Sequence, residues 1–187
     1  MRCVLLMIAL AAPALADPVP YVLDVANSSV GFAVNMGEMA ITGTMPVTAA
    51  LLRLDFDSIA NSTINVTLDP SGTRTGLIFA TEALKAADML DTTVHPQILF
   101  ESTAVSAGAD GTQAEVDGLL TIRGVTRPLR LHAQLYRQTG TIAGNIDKLS
   151  LILTGSLNRN DFGASAYPGM VSDQVSLEIL AQIDRGE

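Results

Sequence analysis

The sequence predicts an all-β chain of about eight antiparallel strands with one short helical insertion. Three observations carry this. Apolar and polar residues alternate with a period of two through most of the chain, giving each strand one dry face and one wet face. Breakers of Gly, Pro, Asn, Asp and Ser separate the runs. The period changes only once, after Asp69-Pro70-Ser71-Gly72. Eight such strands can close into a barrel whose interior holds side chains or one apolar guest. The alternation alone leaves a flat sandwich open.

Taken in order, the chain starts with a segment outside the fold. Arg2 precedes an apolar run, Val4 to Ala12, too short to span a bilayer, and Ala14-Leu15-Ala16 is a small-x-small cleavage site. Residues 1–16 therefore read as a signal peptide and residues 17–187 as one domain. Cys3, the only cysteine, falls inside the peptide, so the exported domain must hold together without disulfides.

Val30, Phe32, Val34 and Met36 mark a strand. Ile41, Gly43, Met45 and Val47 continue after a turn near Gly37. Leu52, Leu54 and Phe56 alternate with Arg53, Asp55 and Asp57, and Ile64, Val66 and Leu68 follow. Thr81 is then read as the cap of a short helix through Glu82 to Ala87. Strand period returns at Ile98 and Phe100, after His95-Pro96. Ser106 to Gly111 is a turn.

The clearest hairpin comes next. Val116, Gly118, Leu120 and Ile122 face one way in its first arm, and Leu129, Leu131, Ala133 and Leu135 in its second. Gly124 supplies the positive φ of a tight turn. Pro128 lacks an N–H, which argues for an edge or a strand start. Gly140 to Asn145 turns again, and Leu149, Leu151, Leu153 and Leu157 mark a further strand. Asn158 to Met170 is a long loop, and Val171, Val175, Leu177 and Ile179 form the last strand. Parity thus predicts that Phe32, Val34, Ile98, Phe100, Leu120, Ile122, Leu129, Leu131, Leu151, Leu153, Val175 and Leu177 point inward, with Asp117, Arg130 and His132 outside. Gly31, Gly43 and Gly118 either admit a guest close to the backbone or bend the strands at barrel corners.

The chemistry is sparse. A net charge of −8 makes nucleic acid and anionic membranes poor partners. His95 and His132 are the only histidines and stand far apart, so no metal site is expected. Ser165 lies in Gly163-Ala164-Ser165-Ala166-Tyr167, which lacks the second glycine of a nucleophile elbow. Asp55 and Asp57 share a strand face, as paired carboxylates or, more simply, as a solvated acidic face. No catalytic residue and no cofactor is nominated. Arg159 can fork onto a carboxylate or phosphate; equally it can pair with Asp173 or Asp24 and lock its loop while Phe162 plugs the barrel end. No second long apolar run follows the leader, so no membrane-spanning helix is expected. An outer-membrane barrel would want aromatic girdles, and the chain has no tryptophan.

Five stretches together resemble the YceI-like family. They are Asp24 with Ser28-Ser29-Val30-Gly31-Phe32, His95-Pro96-Gln97-Ile98-Leu99-Phe100-Glu101-Ser102, Gly118-Leu119-Leu120-Thr121-Ile122-Arg123-Gly124-Val125-Thr126-Arg127-Pro128, Asn158-Arg159-Asn160-Asp161-Phe162-Gly163, and Val171-Ser172-Asp173-Gln174-Val175. The resemblance implies a lipocalin-like eight-stranded antiparallel barrel, exported to the bacterial periplasm or, as second choice, secreted. It implies a non-enzymatic carrier, monomeric or homodimeric, holding a long-chain isoprenoid or acyl lipid, a quinone included, inside the barrel. The inward set above, with Phe162, becomes the ligand-binding set, and Arg159 the head-group candidate. The alternatives are a weakly active periplasmic enzyme on a lipid-like substrate and a structural or protein-binding barrel. The chain departs from the family pattern at four places. Tyr21 stands where tryptophan is usual, Asn35 where histidine is common, Ala80-Thr81 for Arg-Asp, and Met89-Leu90 for a Phe-Phe-like pair. The last two bear on ligand identity more than on fold.

Overall fold

The structure is a computed structural model that describes residues 17–109, 111–138, 142 and 144–186. The leader segment and most of the expected turn from Gly140 lie outside the described residues. Eleven strands form one sheet: β1 Val19–Leu23, β2 Ser29–Met36, β3 Met39–Met45, β4 Val47–Leu54, β5 Thr63–Leu68, β6 Arg74–Thr75, β7 Ile98–Ala107, β8 Gln113–Ile122, β9 Val125–Arg137, β10 Lys148–Asn158 and β11 Val171–Arg185. One helix, α1 Ile78–Lys85, interrupts them. Eight strands close a ring in the order β1-β4-β5-β7-β8-β9-β10-β11, with β11 returning to β1. The paired strands are antiparallel throughout. Strands β2, β3 and β6 extend the sheet from β11 beyond β1.

The extra strands have a simple origin. One long stretch is split into β1 and β2 by a 3-10 turn, Val25–Asn27, whose backbone N–H groups are capped by the Asp24 carboxylate. A second is split into β3 and β4 at Pro46, which cannot donate to a ladder. The inward parity changes at both places, from Tyr21 and Leu23 to Val30 and Phe32, and from Met45 and Val47 to Ala50 and Leu52.

The hairpin behaves as its residues demand. Ile122 pairs with Val125 across a two-residue turn in which Arg123 and Gly124 have φ of 52° and 72°, the mirror-image turn that matches strand twist. Arg123 tolerates this conformation and uses its guanidinium to hold the segment after α1, donating to Ala87 O at 2.7 Å and to Met89 O. Pro128 sits opposite Leu119, and the β9–β10 ladder stops at Leu131. Its missing N–H therefore lies along an unpaired edge. Outside the hairpin, Arg130 grips Asp117 at 2.6 and 3.0 Å, and Glu115 lies 3.5 Å from Arg130 and 3.6 Å from His132. Charged outside and apolar inside, the wall is the reverse of an outer-membrane barrel.

Two sequence expectations are corrected. The helix begins at Ile78 with Leu77 as its cap residue, so Thr81 lies within it. Its hydroxyl accepts from Thr75 N at 3.0 Å and bonds back to Leu77 O at 3.3 Å, using the hydroxyl to pin β6 instead of capping. The alternation through residue 57 also fails, because β4 ends at Leu54. Asp55 turns in and is buried, accepting from Asp57 N, Ser58 N and Asn61 Nδ2, while its own N–H donates to Ser62 Oγ. Phe56 turns outward and meets Tyr21 edge-on at 5.9 Å. Asp55 and Asp57 are thus neither a catalytic pair nor a solvated face; Asp55 builds its loop.

This arrangement predicts an acid limit. The Asn61 amide bond and the Ser58 and Asp57 N–H groups hold the Asp55 carboxyl below the usual carboxylate range, and Asp117 is lowered by Arg130. A depressed carboxyl contributes stability that is present above its unfolded pKa, near 3.9, and is lost as pH falls through its folded value. Unfolding midpoints should hold steady from neutral pH to about pH 4 and then fall, and Asp55→Asn should flatten the decline. A midpoint that rises below pH 4 would contradict the loop assignment.

Candidate functional site: the barrel interior

Alternation turns the dry parity of every ring strand inward, and what those side chains enclose depends on their size. At one end they meet. Tyr21, Leu52, Leu54, Leu149 and Ile183 form a buried cluster, with Leu149 and Ile183 each 1% exposed. Tyr21 reaches this end by donating its hydroxyl to Ile146 O at 2.8 Å, and burial pushes its phenol above the usual range. Tyr21→Phe should cost about 1 kcal/mol in urea unfolding, the value of one such hydrogen bond.

The opposite end is closed by the loop after β10. Phe162, 3% exposed, packs into the main core. The loop's shape comes from Arg159, itself 4% exposed. Its Nε donates to Ser172 O at 3.0 Å, one terminal nitrogen to Ala164 O and Ala166 O at 2.6 and 2.8 Å, and the other to Val171 O at 3.0 Å and Asp173 at 3.4 Å. Five donors meet five protein acceptors. Asp173 is the carboxylate partner; Asp24 serves the 3-10 turn instead. A head-group contact by Arg159 would require one of these bonds to be broken.

Between the two ends lies an apolar cavity of about 260 Å³. A single water needs only about 10–15 Å³ of such space. Every apolar residue nominated from parity lines it, as do Phe162 and Arg159. Leu120, Ile122, Leu129 and Leu131 are buried in the packed part. Phe32, Leu151, Leu153, Val175 and Leu177 are only half-buried although they face inward, as expected of side chains that border empty space. Sequence reasoning missed Leu84, Met89, Leu90 and Ala164, which line the cavity from α1 and from loops. Parity has no hold outside strands; the only signal was the departure of Met89-Leu90 from the family pattern.

Two of the glycines also make room for aromatic rings. A Cβ on Gly118 would lie 2.5 Å from the Phe100 ring, and one on Gly43 would lie 2.4 Å from the Phe32 ring. Each aromatic ring lies flat against a neighbouring strand where no side chain stands. Phe32 and Phe100 are thereby folded onto the wall, which leaves room in the lumen. Gly31 instead approaches backbone, with Glu178 O 2.8 Å from where its Cβ would be.

Among the described residues, no group of three His, Cys, Asp or Glu could hold a metal ion. His132 lies on the outer face beside Glu115. Ser165 is exposed in its loop.

A closed antiparallel barrel, charged outside and hollow and apolar inside, defines a lipocalin-like barrel. The chain belongs to the YceI-like family: the YceI-like domain matches residues 21–183. Among relatives, Protein YceI of Shigella flexneri is 29% identical over 148 residues, covering 79% of this chain and 76% of that protein. A UPF0312 protein of Pectobacterium carotovorum is 32% identical over 119 residues, which is 64% of this chain and 60% of that protein's length. Among solved structures, Burkholderia cenocepacia BcnA superposes with a TM-score of 0.76 at 20% identity, covering 86% of this chain and 98% of that one. A polyisoprenoid binding domain from Saccharophagus degradans, implicated in plant cell wall breakdown, gives a TM-score of 0.66 at 13% identity, covering 90% and 99%.

Proposed function

We propose that the chain is an exported carrier that holds one long apolar chain, isoprenoid or acyl, in the barrel interior. On this reading Met1–Ala16 is the leader that takes it to the periplasm and residues 17–187 are the carrier domain. The observation that carries the reading is the cavity itself. A packed core leaves no void of this size, because interiors are filled to crystal density, whereas a slender guest gains roughly 0.8 kcal/mol for each buried CH₂. The Saccharophagus degradans domain, named for polyisoprenoid binding, shares the fold. The lining has one charged side chain, Arg159, and its donors are committed to the protein. Affinity therefore comes from length and apolarity, and the head group contributes little.

The test is organic extraction of protein purified from its own host, followed by mass spectrometry. The expected result is a near-stoichiometric lipid whose longest segment is unbranched acyl or polyprenyl. Protein that carries no lipid, and takes none up when offered, would return the chain to the structural or protein-binding class.

A further inference from the structure

A guest needs a way in, and packed side chains stand at both ends of the barrel: the cluster around Tyr21, Leu149 and Ile183 at one, Phe162 and the loop that Arg159 ties at the other. The wall, however, has a seam. Strand β1 pairs with β4 only over Val19–Tyr21 and Leu52–Leu54, and β2 pairs with β3 only from Val30 and Met45 onward. Between these ladders, residues 22–29 face residues 46–51. Among the described residues, no strand pairing or backbone hydrogen bond joins the two segments. The unpaired edge of β4, Val47–Leu51, is about 16 Å long at strand rise.

The neighbouring edges of both segments are tied. Asp24 N donates to Gln182 O at 2.8 Å and Gln182 N to Ser28 Oγ at 2.9 Å, which fastens the 3-10 turn to β11. Strand β4 is paired with β5 from Val47 to Arg53. The opening is thus confined to one line. The cavity reaches that line, since Leu23, Ser28, Ser29, Val47 and Ala50 are among its lining residues. The outer rim carries three exposed aliphatic side chains, Val22 at 61%, Val25 at 56% and Leu51 at 57%, beside the exposed, uncharged Asn27, Ser29 and Thr48. An unpaired strand edge is normally covered or blunted with charge, and on the β4 side residues 46–51 carry none.

We propose that this seam is a lateral portal, through which one apolar chain slides sideways between the β1–β2 segment and β4 into the lumen. The inference rests on the carrier reading above and assigns its route. Val22, Val25 and Leu51 keep the chain in apolar contact as it leaves its donor.

The test joins the two edges. Val22 and Leu51 stand one step beyond the last β1–β4 pair, Tyr21 with Leu52. A Val22→Cys/Leu51→Cys variant, with Cys3 replaced by serine, is oxidised to a disulfide and reopened with dithiothreitol. The probe is cis-parinaric acid, followed by stopped-flow fluorescence. Joined edges should slow both uptake and release roughly tenfold or more at nearly unchanged affinity, because a gate alters rates and not equilibrium. Reduction should restore both. Ala50→Trp, which fills the seam from inside without needing a disulfide, should slow exchange in the same way. Uptake that proceeds at the native rate in both variants overturns the portal alone and assigns entry to a barrel end. Native protein that binds no probe overturns the carrier reading and the portal with it.

Discussion

Arg159→Ala should be the most damaging single substitution in the described structure, lowering stability by roughly 3–5 kcal/mol. The reason is the number of groups it leaves behind. The carbonyls of Ala164, Ala166, Val171 and Ser172 converge on one guanidinium. Removing it strands several acceptors at a site that is 4% exposed, and each buried, unpaired acceptor costs about 1–3 kcal/mol. For a domain of this size the thermal midpoint should drop on the order of 10 °C. Arg159→Lys should recover little, since one ammonium cannot span acceptors laid out for a planar fork. Phe162, held at the barrel end by this loop, should become exposed at the same time, read as increased binding of an apolar dye. A midpoint within about 2 °C of the native value would mean that the loop is held by something other than Arg159.

Gly118→Ala should have the second large effect, and on two separate readouts. The new methyl would sit 2.5 Å from the Phe100 ring and 2.6 Å from Glu101 O. The ring can swing away, but the backbone oxygen can move only with its strand. Overpacking of this kind costs about 1–3 kcal/mol. The ring's only free direction is the lumen, so long apolar ligands should lose more affinity than short ones. Adding Phe100→Leu should restore ligand capacity more than stability, because it relieves the ring contact and leaves the contact with Glu101 O. Equal losses for short and long ligands would show that Phe100 does not set the bore.

Much of the lining of the lumen was legible in the sequence, and the reason is period. In a strand a single parity decision places every side chain, so Phe32, Phe100, Leu120, Leu131 and Leu177 could each be assigned to the inside from alternation alone. The same logic failed where the chain leaves strand geometry. Asp55 follows Leu54 by one residue, yet it turns in, because three donors in its own loop hold the carboxylate. Thr81 reads as a cap by composition, but the helix starts earlier and its hydroxyl is drawn to Thr75. The two roles open for Arg159 look alike in sequence, since both want a forked cation on a loop. The carbonyls that Arg159 holds are spread over residues 164–172, which the local sequence does not mark. The glycines at 43 and 118 show the same limit: their meaning lies in the ring on the next strand, which the local sequence does not contain.

The seam was invisible for a further reason. The inward parity slips once in β4, from Met45 and Val47 to Ala50, Leu52 and Leu54, but a slip of one residue does not say which strand lies alongside. The partner does carry a signal, Asp24 followed by Asn27-Ser28-Ser29, a run of turn-forming residues inside an apolar stretch. It reads as a local turn. Its consequence for the wall appears only when β1 and β2 are seen to share the edge of β11 while β3 and β4 part on the other side.

A length series shows whether the lumen holds one slender apolar chain. Saturated acyl and polyprenyl alcohols of increasing length are titrated against the unliganded protein by isothermal calorimetry. Affinity should rise by up to about 0.8 kcal/mol, roughly fourfold, for each added methylene, then level off abruptly once the lumen is full. Exchanging the alcohol for a carboxylate or phosphate should change affinity far less than adding a few methylenes. An affinity indifferent to length, or one governed by the head group, would contradict the carrier reading.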